Sequence, residues 1–413
     1  MGSLCVQRGR NGALEVKKEL YTPAKRLENM YFSPIRQVME RAAEIVAAGH
    51  PVLSFSAGEP DFNTPQPIKD AVIKALKQNK THYAPNRGTA SLRKAIAQQV
   101  ERTIGVEYDP LSEIIVTAGG AESINNAFLA VLDPGDEVVV FTPAFMNYEN
   151  LISMCGAKMI DVPLKAENGF RIDPEELERH LTPQTKMLVI NNPCNPTGVV
   201  HSPEELKKVA EIAVRHDLLV FSDEIYNQIV YDGLTCRSLA SFPGMRERTI
   251  VMNGFSKAYA MTGWRLGYLA ADARLIPAML KVHQYTTTCV NTFVQEGVAE
   301  TMNAPETLRD ISLMTEEFAR RRELLTVGLS RIGGFTYARP EGAFYMFIDV
   351  SKTGMDGDRF AERLLTEQYV ACIPGSRLSA ACRDYVRVSY ATSRENIAEG
   401  LRRIDKLVND SQR

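Results

Sequence analysis

Met187-Leu188-Val189-Ile190-Asn191-Asn192-Pro193-Cys194-Asn195-Pro196-Thr197-Gly198 passes from an unbroken apolar run into a turn rich in asparagine and proline and closed by glycine. A strand covered on both faces has this near-continuous apolar character, because neither row of side chains meets water. Similar short runs lie on either side of it, at 114–117, 137–141, 158–162, 218–222, 249–252 and 266–270. Helical patterns stand between them, and 174–181 and 203–215 each open with proline, where a missing N–H costs no hydrogen bond. Alternation of this kind predicts an α/β architecture with a mostly parallel sheet sandwiched by helices. Further along, residues 305–329 carry apolar side chains at 308, 311, 314, 318, 325 and 329, close to a 3.6-residue period, which predicts one long amphipathic helix. Beyond it, 343–350, 385–390 and the helical 395–408 predict a smaller α+β unit, which the helical 34–48 is expected to join.

With 413 residues, 45% of them hydrophobic and 24% charged, the chain is long enough for two domains and ordinary in make-up. Its 48 basic and 50 acidic residues nearly cancel, which argues against a nucleic-acid or anionic-membrane partner at the level of the whole chain. No apolar stretch approaches the length of a membrane span. The seven cysteines show neither a Cys-x-x-Cys pair nor a zinc-like Cys/His cluster, so no metal site is expected, and they read as reduced structural thiols. Residues 1–21 lack the apolar core of a secretory signal, and Val6 stands where myristoylation favours Ser or Thr. A soluble cytoplasmic protein is expected.

Open α/β sheets place their ligands beyond the carboxyl ends of the strands. Asn195 follows one such end, Ser222-Asp223-Glu224-Ile225-Tyr226 closes the next strand, and Ser256-Lys257-Ala258-Tyr259-Ala260-Met261-Thr262-Gly263-Trp264-Arg265 follows the third. A lysine amine can condense with an aldehyde to form a Schiff base, and an arginine eight residues on can hold a phosphate ester beside it, a pairing that suggests pyridoxal 5′-phosphate. Each segment alone has a plainer reading as a turn, a helix cap or a solvated lysine. Three successive strands aimed at one rim favour a site. Thr117-Ala118-Gly119-Gly120-Ala121-Glu122 leaves a further strand and enters a helix, where backbone N–H groups can meet an anion.

Asn-Asn-Pro-x-Asn-Pro-Thr-Gly, Ser-Asp-Glu-Ile-Tyr and Ser-Lys-x-Tyr-x-Met-x-Gly-x-Arg, in this order and spacing, resemble the class I/II aminotransferases, the aspartate aminotransferase-like group of fold type I pyridoxal-phosphate enzymes. The resemblance runs from residue 54 to 393, with 34–49 also similar. It implies that Lys257 carries the cofactor and then shuttles a proton, that Asp223 pairs with the protonated pyridine nitrogen, and that Asn195 and Tyr226 donate to the ring O3′. Gly119, Gly120, Ala121, Ser256 and Arg265 would cradle the phosphate. Tyr83 would reach that phosphate from a neighbouring subunit, implying a homodimer with shared active sites. Phe145 would stack on the ring. Arg387, in Tyr385-Val386-Arg387-Val388-Ser389, would grip the substrate carboxylate with its fork, and Gly58 and Asn195 would lie beside that carboxylate.

The resemblance thins at the side-chain pocket. Relatives that prefer aspartate through a bacterial-type pocket carry lysine where this chain has Ala121 and threonine where it has Ile35, so both polar contacts to a distal carboxylate are missing. Arg377, in Pro374-Gly375-Ser376-Arg377-Leu378-Ser379, is either a replacement cation or a solvated surface residue. The expected activity is transfer of the amino group of a neutral or aromatic amino acid to a 2-oxo acid such as 2-oxoglutarate. The alternatives are elimination, racemisation or oxidation on the same scaffold, and a non-catalytic regulator that binds the cofactor. The expected division is an N-terminal extension over 1–24, a contribution to the small domain from 25–50, a large cofactor-binding domain over 51–304, a linking helix over 305–330 and a small domain over 331–413.

Overall fold

The computed structural model describes residues 6–8, 14–16, 23–28 and 30–411, so most of the extension expected over 1–24 lies outside the described residues. The central sheet has seven strands, in the spatial order Ile114–Thr117, Gly267–Ala270, Thr249–Gly254, Leu219–Asp223, Thr185–Asn191, Glu137–Thr142 and Lys158–Pro163. All run parallel except Gly267–Ala270, which is antiparallel to both of its neighbours. Each strand falls within two residues of its sequence-based bounds.

Side chains alternate across this sheet, as pleating requires. Val139, Phe141, Leu188, Ile190 and Val220 join one core with Leu206, Val209 and Ile212 of the helix Pro203–Arg215. Val138, Val140, Met187, Val189 and Phe221 join another, with Ile124 and Phe128 of the helix Gly120–Val131. Both faces are dry except along the edge strand Lys158–Pro163, which is why the other six strands read as continuous apolar runs. Pro203–Arg215 begins with a complete capping box between Ser202 and Glu205. The shorter helix Pro174–Arg179 stops two residues before the expected end because His180 and Leu181 donate to Leu177 O and Glu178 O, tightening the last turn.

The long helix Pro305–Ile332 ends at Gly333, whose φ of 78° suits glycine. It packs against a four-stranded antiparallel sheet ordered Thr336–Tyr337, Tyr345–Asp349, Tyr385–Ser389 and Ile373–Pro374. Leu53–Ser54 pairs in parallel with Val370–Ala371, and Phe55 is buried among Phe318, Phe344 and Leu401. Residues 53–55 therefore pack with this second sheet, although the sequence groups them with the larger unit. Among the described residues no helix is long and apolar enough to cross a membrane.

The helices Gln66–Lys77 and Thr292–Thr301 touch through Gly297, where a Cβ would come within 2.6 Å of the Val72 backbone nitrogen. Gly297→Ala should therefore destabilise the protein by about 1–3 kcal/mol in urea unfolding, despite the better helix propensity of alanine. An unchanged midpoint would show that the two helices can part without cost.

Candidate active site

Parallel strands end on one edge of the sheet, and an antiparallel strand begins there. Asp223 and Asn191 close adjacent strands in register, Lys257 follows the strand ending at Gly254, and Gly119 follows Thr117. Gly267 sits opposite both Thr117 and Gly254, so Arg265, just before it, arrives at the same edge. The result is a cavity of about 520 Å³. Its lining includes Ile35, Gly58, Gly120, Ala121, Phe145, Asn195, Asp223, Tyr226, Ser256, Lys257, Arg265 and Arg387.

Asp223 is buried at the back of this cavity. Its Oδ2 accepts from the Tyr148 hydroxyl at 2.5 Å and its Oδ1 from the Ile225 N–H at 3.1 Å. Burial pushes its pKa up to about 6, against the opposing pull of those two donors and of Lys257. The neighbouring Glu224 accepts from Ser222 and Ser238 on Oε1, leaves Oε2 without a partner, and is raised to about 7 by burial. Lys257 donates to Gly58 O and lies 5.8 Å over the Tyr226 ring. Burial and the nearby Arg387 charge lower its pKa to about 8.

Two arginines bound the site. Arg265 adopts φ +54°, donates to Thr262 O at 3.1 Å, and lies so close to Gly119 that a Cβ there would meet its Nη2 at 2.6 Å. Gly119, with φ +88°, is thus required by both conformation and space. Arg387 is 1% exposed, and donates to Asn195 Oδ1 and to Ser56 O, each at 3.0 Å, while its Nε has no partner. No carboxylate among the described residues forms an ion pair with either arginine. A buried cation left without an anion is costly, and this one faces a cavity. The donor set of a buried carboxyl, an amine of lowered pKa and two unpaired guanidinium groups fits a molecule that brings a cationic ring nitrogen, an aldehyde and a phosphate, together with a second that brings a carboxylate.

Tyr83 lies outside the cavity and is 88% exposed. Arg377 also lies outside, 3.7 Å from Asp358. Three contributors were not singled out by sequence. Tyr148 sits one turn after Phe145, which a helical reading of 145–148 would have exposed. Tyr345, which lines the cavity, lies in an apolar run that gives no sign of function. Arg36, one residue after Ile35, lines the same cavity. The turn 195–198 is clamped from the second sheet: Gly198 O accepts the N–H groups of Glu341 and Gly342, and a Cβ on Gly198 would lie 2.8 Å from Tyr345 O.

Residues 50–404 match the family model of class I and II aminotransferases. The aspartate aminotransferase of Pyrococcus abyssi is 41% identical over 94% of this chain and 98% of the relative. Aromatic-amino-acid aminotransferase 2 of Thermococcus litoralis is 39% identical, with the same coverage of 94% and 98%. The structure of the Thermus thermophilus aspartate aminotransferase with maleate superposes with a TM-score of 0.90 at 40% identity, covering 94% of this chain and 100% of that one. The chain belongs to the class I and II aminotransferases. It is an enzyme that transfers amino groups, and nothing in these likenesses favours elimination chemistry.

The Asp223 carboxyl keeps its proton to about pH 6, whereas an exposed one releases it near 3.8. The folded state thus binds more protons across that window, and the stability contributed by Asp223 falls as pH rises through it. In the cofactor-free protein, Asp223→Asn should remove this falling contribution and make the slope of Tm against pH more positive than the parent's between about pH 4 and about pH 6. Equal slopes for parent and variant would mean that the carboxyl is not held as described.

Proposed function

We propose that the cavity holds pyridoxal 5′-phosphate and that the enzyme moves the amino group of a neutral or aromatic amino acid to 2-oxoglutarate. The observation that carries this reading is the buried Asp223 carboxyl, with no basic group in hydrogen-bond contact, grouped at one sheet edge with Lys257 and two unpaired arginines. When bound, the cofactor supplies an electron-withdrawing ring that stabilises negative charge at the substrate Cα. Asp223 would pair with the ring nitrogen in a charge-assisted hydrogen bond and keep it protonated. Asn195 Oδ1 already accepts from Arg387, which leaves its Nδ2, with the Tyr226 hydroxyl, to donate to the ring oxygen. Arg265, Ser256 and the Gly119-Gly120-Ala121 backbone would hold the phosphate at the N-terminus of the helix Gly120–Val131. Phe145 would cover one ring face.

Lys257 would do the proton transfer. With its pKa lowered to about 8, roughly a tenth of the amine is neutral at pH 7. That fraction can attack a carbonyl carbon and can take the Cα proton as a general base. Arg387 would fix the α-carboxylate, which orients the Cα–H bond towards Lys257 Nζ.

Substrate choice rests on the rest of the lining. Ile35, Met39, Ala121, Ile124 and Phe145 present apolar surface suited to a neutral or aromatic side chain. Arg36 supplies the one cation near Ile35 among the described lining residues, and would meet the distal carboxylate of glutamate or 2-oxoglutarate. The exposed Tyr31, Phe32, Tyr83 and Tyr285 support a homodimer in which Tyr83 reaches the partner's phosphate. The six cysteines among the described residues are free thiols, in keeping with a reducing cytoplasm. On this reading the chain divides into a large cofactor-binding domain over 51–304, apart from 53–55, which pack with the second sheet, and a small domain built from 25–50 and 331–413, linked by 305–330.

Loss of the visible band of the loaded enzyme on adding an amino acid, and its return with 2-oxoglutarate, is the expected outcome of a spectroscopic titration; no band after adding pyridoxal phosphate would overturn the cofactor assignment. Lys257→Ala should lower kcat by at least about 10²–10⁴-fold, and near-normal turnover would remove Lys257 from the proton transfer. Arg36→Ala should raise the KM for 2-oxoglutarate about tenfold, as expected for loss of a charge-assisted contact. An aspartate kcat/KM above those of neutral and aromatic donors would defeat the preference drawn from Ala121 and Ile35.

A further inference from the structure

We propose that Tyr345 is a positioning residue that sets two groups of the site at once: the proton of the Tyr226 hydroxyl and the plane of the Arg387 guanidinium. The proposal rests on the cofactor reading above. Tyr345 is 1% exposed, stands on the strand Tyr345–Asp349 of the second sheet, and lines the cavity. Its hydroxyl lies 2.9 Å from that of Tyr226. Its ring lies under Arg387, with the guanidinium carbon 4.5 Å from the ring centroid.

Two hydroxyls in contact share one hydrogen between them, so one of the two protons is free to point elsewhere. If Tyr226 donated to Tyr345, it could not also donate to a ring oxygen in the cavity. An anionic acceptor in the cavity selects the other arrangement, in which Tyr345 donates to Tyr226 and Tyr226 donates inward. Such a chain polarises its members and strengthens the inner bond. Tyr226 ionisation is suppressed by burial, with a further contribution from Tyr345, so Tyr226 stays a neutral donor.

The same side chain governs the arginine by a different force. Arg387 has in-plane partners at Asn195 Oδ1 and Ser56 O, and the Tyr345 ring closes one of its faces. A ring face attracts a desolvated guanidinium and resists its tilting. With the plane fixed, the Nη1 and Nη2 hydrogens not committed to Asn195 and Ser56 are held ready for the carboxylate. The hydroxyl of Tyr345 also stands against Gly58, where a Cβ would lie 3.1 Å from it, and its backbone oxygen stands against Gly198. The residue is therefore fixed at its backbone against the 195–198 turn and bounded at its hydroxyl by the Gly58 loop, so it has little freedom to relax if one contact is lost.

Two variants separate the functions. Tyr345→Phe keeps the ring and removes the hydroxyl, whereas Tyr345→Leu removes both. In the loaded enzyme, Tyr345→Phe should raise the pH midpoint of the visible absorption change by up to about one unit, because a weaker donor at the ring oxygen favours the protonated form. Its KM for the amino donor should stay within about twofold of the parent. Tyr345→Leu should show the same spectral shift and, in addition, a KM raised about tenfold through loss of the ring beneath Arg387. An unmoved midpoint in Tyr345→Phe would overturn the proton assignment. Equal KM values in the two variants would overturn the role in orienting Arg387. The Tm of each variant identifies a merely structural loss, for which Tyr345→Phe, with its ring retained, remains the decisive protein. A parent enzyme without any visible band fails on the cofactor reading, not on Tyr345.

Discussion

Everything at the rim of the large sheet answers to one constraint: a carboxyl group, Asp223, is held out of water at the end of a central parallel strand. Burial alone favours its neutral form, and the Tyr148 hydroxyl, the Ile225 N–H and Lys257 only partly restore the charged one. Lys257 stands under the complementary pressure, since burial and Arg387 favour the uncharged amine. An acid that resists ionising and a base that resists protonation occupy one cavity. Each is poised to change state when a partner of opposite character arrives, which is the general route by which active sites bring acid and base chemistry to neutral pH.

Topology makes that pairing possible. A purely parallel sheet would deliver only strand ends to this edge. The one antiparallel strand, Gly267–Ala270, delivers a strand beginning, and with it Arg265 beside Gly119. The second sheet then adds Arg387 and Tyr345 to the lining. Anion-binding groups thus come from two sheets while the proton-transfer groups come from one.

Much of this was legible in the sequence, for identifiable reasons. Strands buried on both faces carry continuous apolar runs, and six of the seven central strands show that signal in full, whereas the edge strand Lys158–Pro163 is mostly half-buried or exposed. Helix starts with proline were equally clear. Residues such as Asp223, Asn195 and Lys257 announced themselves because a polar group ending an apolar strand is conspicuous. Tyr345 did not, since an aromatic residue within an apolar strand is what a core strand ordinarily contains, and only its three-dimensional neighbours distinguish it. The pairing of Leu53–Ser54 with Val370–Ala371 was hidden as well, because two-residue strands far apart in sequence leave no periodic trace. Glu224 gave no warning that it would be buried with an unpartnered oxygen.

The clamp at Gly198 has a mechanical meaning. Its carbonyl takes two backbone N–H groups from 341–342, and the space where its side chain would stand is occupied by the Tyr345 carbonyl. At this point the turn that follows the strand Thr185–Asn191 is riveted to the loop that precedes the strand Tyr345–Asp349, and widening the gap there would break both hydrogen bonds. The wall built from Ser33, Ile35, Arg36 and Met39 carries no such rivet to the 195–198 turn. Gly198 therefore fixes the floor of the cavity as a rigid datum, and a change in the cavity's width falls to the wall that bears Arg36.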